Sequence, residues 1–165
     1  ILTIYSDNNI FYNNVIINSN RYGINVYNSY NNTFIENNLT GNQYGAYLFG
    51  SSSNNSFFRN NFINNAINAY EEEETANNFW DNGLIGNYWD DFEDNEGYPN
   101  YYYVNGSGNG VDYNPIWNFC GDNICNYNFG ENCHTCQVDC GCLTGRCIRF
   151  PPFHFQPERW MCLQI

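Results

Sequence analysis

The amino-acid sequence predicts an all-β protein: a right-handed parallel β-helix of about four coils of 23 residues, followed by a small disulfide-rich module. Three observations carry this expectation. Asn-Asn pairs recur at 8–9, 31–32, 54–55 and 77–78, an even spacing of 23 residues. The 165 residues include 34 Asn, 15 Tyr, 13 Phe and 4 Trp but only 4 Ala, 6 Leu and no Lys, so helix-building residues are scarce. All eight Cys lie between Cys120 and Cys162, an even set confined to one end of the chain.

The columns around the Asn pairs agree as well. Phe11, Phe34, Phe57 and Trp80 share one column, Asn14, Asn37 and Asn60 a second, and Ile16, Leu39 and Phe62 a third. Gly23, Ile24 and Val26 recur as Gly45, Ala46 and Leu48 at a spacing of 22, which places a one-residue slip between Ile17 and Asn20, with Ser6, Ser29 and Ser51 following it. Within each unit apolar and polar residues alternate over short runs broken by Asn or Ser, the pattern of several short strands joined by turns. A unit this short buries no core alone, and stacking it on the next with parallel pairing supplies one. Asn suits the turns because its amide tolerates left-handed backbone and bonds to neighbouring backbone groups. Stacked amides also bond along the column, which marks Asn9, Asn32, Asn55 and Asn78, and Asn14, Asn37 and Asn60, as ladders.

The segments Asn77-Asn-Phe-Trp-Asp-Asn-Gly83, Gly86-Asn-Tyr-Trp-Asp-Asp91 and Asp112-Tyr-Asn-Pro-Ile116 resemble the closing motif of NosD-like proteins, a branch of the β-helix proteins that bind carbohydrates or hydrolyse sugars. The resemblance covers roughly residues 1–119 and implies a β-helix over 1–92 with a cap over 93–119. Residues 120–165 form the third region, the cysteine module with its tail.

Function classes narrow on charge and inventory. Seventeen acids against five Arg give a net charge of −12, which opposes binding to nucleic acid. No apolar run is long enough for a membrane helix. The related β-helix enzymes need a Lys or Arg base beside cation-holding carboxylates, or two carboxylates across the scissile bond. The repeats contain no Lys, and Glu36 and Arg59, 23 residues apart, are expected to pair between coils. The expectation is therefore a protein that is not an enzyme. A polysaccharide lyase or hydrolase remnant, resting on Glu71–Glu74 or on Asp90, Asp91, Glu93, Asp94 and Glu96, is the third reading.

No cofactor is required, and Ca²⁺ is the one cation the chain suggests. Asn105, Ser107, Asn109 and Asp112, with Gly110 between, have the spacing of the first half of an EF-type loop, although the closing Glu is missing. Asn105 also opens a glycosylation sequon, as do Asn31, Asn38 and Asn54. Trp89, Tyr98, Tyr101, Tyr102 and Tyr103 are candidates for stacking on sugar rings.

Cys120, Cys125, Cys133, Cys136, Cys140, Cys142, Cys147 and Cys162 are expected to form disulfides, because a segment this small with little aliphatic content needs crosslinks. Residues 120–142 resemble the short Cys-Gly-Asp, Gly-Glu-x-Cys, Asp-Cys-Gly modules appended to secreted, often archaeal, surface proteins. Zn²⁺ held by Cys133, His134, Cys136, Cys140 and Cys142, and a small Ca²⁺ loop at Asp122, Asn126, Gly130 and Glu131, are the alternatives. The NosD-like resemblance implies copper as well, but two His and one Met without a repeating pattern give it little support. After Cys142 three of the five Arg and an aromatic, Pro-containing tail suggest docking on an acidic surface.

Cysteine usage points to an extracellular or cell-surface location. Ile1–Ile4 correspond to Ile24–Tyr27, so the sequence is expected to be a processed product that opens in mid-coil with unpaired strand backbone. The resulting expectation is a structural protein whose partners are copies of itself, stacked head to tail into filaments. A secreted carbohydrate-binding module is the alternative.

Overall fold

The structure, a computed structural model, describes residues 1–75, 77–116, 147–149 and 160–162. Residues 1–116 and 117–165 form two separate units. The first is a β-solenoid of about four turns with three sides. Side one carries β1 (Leu2–Ile4), β4 (Tyr22–Tyr27), β7 (Tyr44–Phe49), β10 (Ile67–Glu71) and β13 (Asn105–Gly106). Side two carries β2 (Ile10–Tyr12), β5 (Thr33–Ile35) and β8 (Ser56–Phe58), continued by a bridge from Ser56 to Phe79. Side three carries β3 (Val15–Ile17), β6 (Asn38–Thr40), β9 (Asn61–Ile63) and β11 (Tyr88–Trp89). All pairings on the three sides are parallel. The sole helical element among the described residues is a 3₁₀ turn at Phe92–Asp94.

Each turn uses two adjacent residues for different tasks. Asn8, Asn13, Asn31, Asn54, Asn64 and Asn77 adopt positive φ between 52° and 60°, the left-handed conformation that bends the chain. The next residue points inward and bonds along the axis. Asn9, Asn32 and Asn55 donate Nδ2–H to the Oδ1 of Asn32, Asn55 and Asn78 at 3.0, 3.1 and 3.0 Å. Asn14, Asn37 and Asn60 do the same toward Asn37, Asn60 and Asn87 at 2.9 Å throughout. Asn42 and Asn65 continue a third column begun by Ser19. The second Nδ2 hydrogen of Asn32, Asn37, Asn42, Asn55, Asn60 and Asn65 reaches a backbone carbonyl one coil back, so these amides are satisfied away from water.

Hydrogen bonds relocate the expected slip. Spacing stays at 23 up to Ser19, whose N–H binds Asn42 Oδ1, and becomes 22 only across β4 and β7, from Tyr22 against Tyr44 to Tyr27 against Phe49. Two residues, Asn20 and Arg21, follow Ser19 where a single Gln43 follows Asn42. Gly50 and Ser51 then restore the register, so the serine column is Ser6, Ser29 and Ser52, with Ser51 outside it.

The core is a set of aromatic and aliphatic stacks along the axis. Phe11, Phe34, Phe57 and Trp80 stack at centroid distances of 4.9, 4.5 and 4.4 Å. Leu39 lies above Phe62, and Phe62, Trp89 and Tyr102 stack at 4.3 and 4.1 Å. Each such pair adds about 0.5–1.5 kcal/mol beyond area burial.

The two ends differ. At the first coil β1, β2 and β3 each pair on one side only. At the other end β13 pairs with β10, Asp112 accepts from the Asn14 ladder at Asn87, and β12 (Tyr102–Tyr103) and β14 (Val111–Asp112) form an antiparallel pair.

In the second unit β15 (Cys147–Arg149) pairs antiparallel with β16 (Trp160–Cys162). Cys120, Cys125, Cys133, Cys136, Cys140 and Cys142, the alternative Zn²⁺ set with His134, the Ca²⁺ loop at Asp122, Asn126, Gly130 and Glu131, and the aromatic tail at 150–157 lie outside the described residues.

Candidate functional site

Two buried carboxyls close the last coil. Glu71 ends the inward column of Thr3, Val26 and Leu48 on side one and is 2% exposed. Its Oε1 accepts the Trp80 indole N–H at 3.1 Å. Asp112 is fully buried and accepts the Asn87 backbone N–H at 2.7 Å, the Trp89 indole N–H at 2.9 Å and the Asn114 N–H at 3.0 Å. Burial raises Glu71 to about 7 and Asp112 to about 6, against the opposing pull of these donors. Glycine is required beside both: a Cβ on Gly86 would sit 1.8 Å from Asp112 Oδ1, and one on Gly110 2.5 Å from Glu71 Oε2. Glu71 heads the acidic run Glu71–Glu74, and its register with Leu48 was the signal that it turns inward.

This arrangement bears on the calcium loop. Asn105 lies in β13, Ser107 and Asn109 are exposed, and Asp112 turns away into the ladder. Asp112's oxygens accept from Asn87, Trp89 and Asn114. Among the described residues no group of three or more His, Cys, Asp or Glu side chains is placed to hold a metal ion.

The acidic cluster at 90–96 is partly structural. Asn68 Nδ2 donates to Asp90 Oδ1 at 2.9 Å and to Asp91 Oδ1 at 2.8 Å, and the Tyr102 hydroxyl donates to Asp91 Oδ2 at 3.2 Å. These carboxylates bind the end of the third ladder. Asp90, Asp91 and Asp94 also border a broad depression of about 680 Å³ with Asn64 and Asn65. Glu36 and Arg59 form the expected pair between coils at 3.4 Å, with both side chains largely in water.

Two of the five sugar-stacking candidates are corrected. Trp89 is 2% exposed and Tyr102 fully buried, their rings stacked face to face in the core, so neither offers a face to a ligand. Tyr98 and Tyr103 are 40% and 42% exposed, and Tyr101 packs edge-on against Tyr103. A larger aromatic surface went unnoticed in the sequence. Tyr22, Tyr44, Tyr47 and Tyr70 cluster on the outer face of side one, with Tyr47 and Tyr70 stacked at 5.3 Å, Tyr27 and Phe49 at 4.5 Å, and Arg21 over Tyr22. Their outward positions in paired strands were the available signal.

Of the sequons, Asn31, Asn54 and Asn105 are exposed, and Asn38 is half-buried with its Oδ1 accepting from Thr40. The first coil has a character of its own. Ile10, Tyr12, Val15 and Ile17 point outward at 73%, 58%, 69% and 59% exposure, where the second coil carries Thr33, Ile35, Asn38 and Thr40.

Parallel strands stacked on three sides around inward amide ladders define the class: a parallel β-helix protein. The family model described as periplasmic copper-binding protein (NosD) matches residues 1–94, more than half of the chain. The chain belongs to the NosD family. No curated protein and no solved structure matches it. Among the described residues no helix is long and apolar enough to cross a membrane.

Proposed function

We propose that this chain is a non-enzymatic structural β-helix of the extracellular or cell-surface space, which associates with a second copy of itself through its first coil. The observation that carries the reading is the outward face of that coil, where Ile10, Tyr12, Val15 and Ile17 are 58–73% exposed. An exposed apolar face of this kind marks an association surface.

The polar interior supports a structural role. Glu71, Asp112, Asp90 and Asp91 are all engaged with core indoles, ladder amides or backbone. Copper, named in the family's description, prefers His, Cys and Met donors. Residues 1–116 contain none of these, so copper does not fit the coils.

The test is the mass of the protein in solution at micromolar concentration, by light scattering. A dimer that Val15→Asp with Ile17→Asp converts to a folded monomer is expected; a strict monomer overturns the reading. A carbohydrate-binding role is favoured by one observation, the outward aromatic cluster of Tyr22, Tyr44, Tyr47 and Tyr70. Binding to a glycan array that Tyr44→Ala abolishes would support that second reading.

A further inference from the structure

Pairing of the eight cysteines is open in the sequence, where 105 arrangements are allowed. The backbone of the second unit bears on one of them. Strands β15 and β16 run antiparallel with Cys147 directly opposite Cys162, Ile148 opposite Met161 and Arg149 opposite Trp160. Residues facing each other across an antiparallel pair have Cα atoms about 4.5–5.5 Å apart, in either kind of pair. A disulfide requires Cα separations of roughly 4.4–6.8 Å. Register alone therefore brings these two positions within bridging range with no backbone movement. We infer that Cys147 and Cys162 are disulfide partners and that the bond locks the β15–β16 hairpin.

Position in the sequence points the same way. Six cysteines, Cys120 to Cys142, fall within the segment that resembles an appended surface module, while Cys147 and Cys162 lie beyond it. Removing this pair leaves an even set of six, which closes among itself. Two cysteines framing a short segment with Pro151, Pro152 and Pro157 gain from a crosslink, because three residues do not form a stable hairpin unaided.

The chemistry balances by thiol–disulfide exchange with an oxidised dithiol carrier of the secretory compartment. One thiolate attacks the carrier's disulfide to give a mixed disulfide. The second displaces the carrier as a dithiol, so two electrons and two protons leave with it.

Arginine placement makes the pairing directly readable. Cleavage after Arg59, Arg146, Arg149 and Arg159 releases Cys147–Arg149, Trp160–Ile165 and the stretch 60–146 that holds the other six cysteines. Trypsin digestion of the oxidised full chain, with free thiols blocked and without reductant, should yield the two short peptides as one species, two hydrogens lighter than their sum. Reduction should separate them. Either short peptide attached to 60–146, or either recovered with a blocked thiol, overturns the assignment. As a second readout, Cys147→Ser should expose a single titratable thiol that maps to Cys162. A thiol mapping to any of Cys120–Cys142 also overturns it.

Discussion

Replacing Asn60 by Ala tests whether the ladders hold the solenoid together. Asn60 is fully buried; its Oδ1 accepts the N–H and Nδ2–H of Asn37, both at 2.9 Å. Its Nδ2 donates to the Phe34 carbonyl and to Asn87 Oδ1, again at 2.9 Å. Truncation removes all four bonds. Asn87 Oδ1 keeps the Asn60 backbone N–H at 3.1 Å, but the Asn37 N–H and one Asn37 amide hydrogen are left without partners, and the Phe34 carbonyl loses a donor. Each buried unpaired group costs about 1–3 kcal/mol, so the loss amounts to roughly 3–6 kcal/mol once some relaxation is allowed. The matched control is Asn54→Ala, an exposed turn residue at φ 55°, where only the left-handed conformation opposes Ala and the cost is about 1–2 kcal/mol. Urea unfolding followed by far-UV circular dichroism measures both, the loss appearing as a lower midpoint at constant slope. If Asn60→Ala and Asn54→Ala destabilise equally, the argument that buried amide columns hold the coils is refuted.

Two further predictions concern the last coil and the coil interior. Glu71 and Asp112 have folded values raised above their ordinary 4.5 and 3.8, to about 7 and about 6, so the folded state holds their protons more tightly than the unfolded chain. Stability is then greatest below pH 4 and falls as pH rises through 4–7, by on the order of 3 kcal/mol for each carboxyl. Glu71→Gln isolates the effect: urea midpoints at pH 4.5 and 8 should differ markedly less in the variant, and an unchanged difference argues against it. Gly45→Ala places a Cβ 2.4 Å from the Asn68 carbonyl oxygen and 2.8 Å from Phe62; a loss of about 1–3 kcal/mol in the same urea assay is expected, and a neutral change would show that the coil relaxes freely.

Much of the solenoid was legible because its period is written in residue types. Asn-Asn pairs and the Phe columns recur at 23 residues, and both tasks of each pair, bend and ladder, follow from amide chemistry. Asn87 was hidden by the four extra residues that set it 27 from Asn60, and Asp112 because a carboxylate replaces the amide at the end of the column. The third ladder was missed because it starts with Ser19 and its turns use Asn18, Gly41 and Asn64, so no Asn-Asn pair repeats there until Asn64-Asn65.

By itself, the sequence determined the repeat, its parallel stacking and the Glu36–Arg59 pair, since each rests on spacing that identical coils must reproduce. Only the tertiary structure decided that Trp89, Tyr102 and Asp112 are buried. Those residues lie where the repeat ends. There the partner of each side chain comes from a segment with no counterpart in an earlier coil, so position along the chain no longer predicts contact in space.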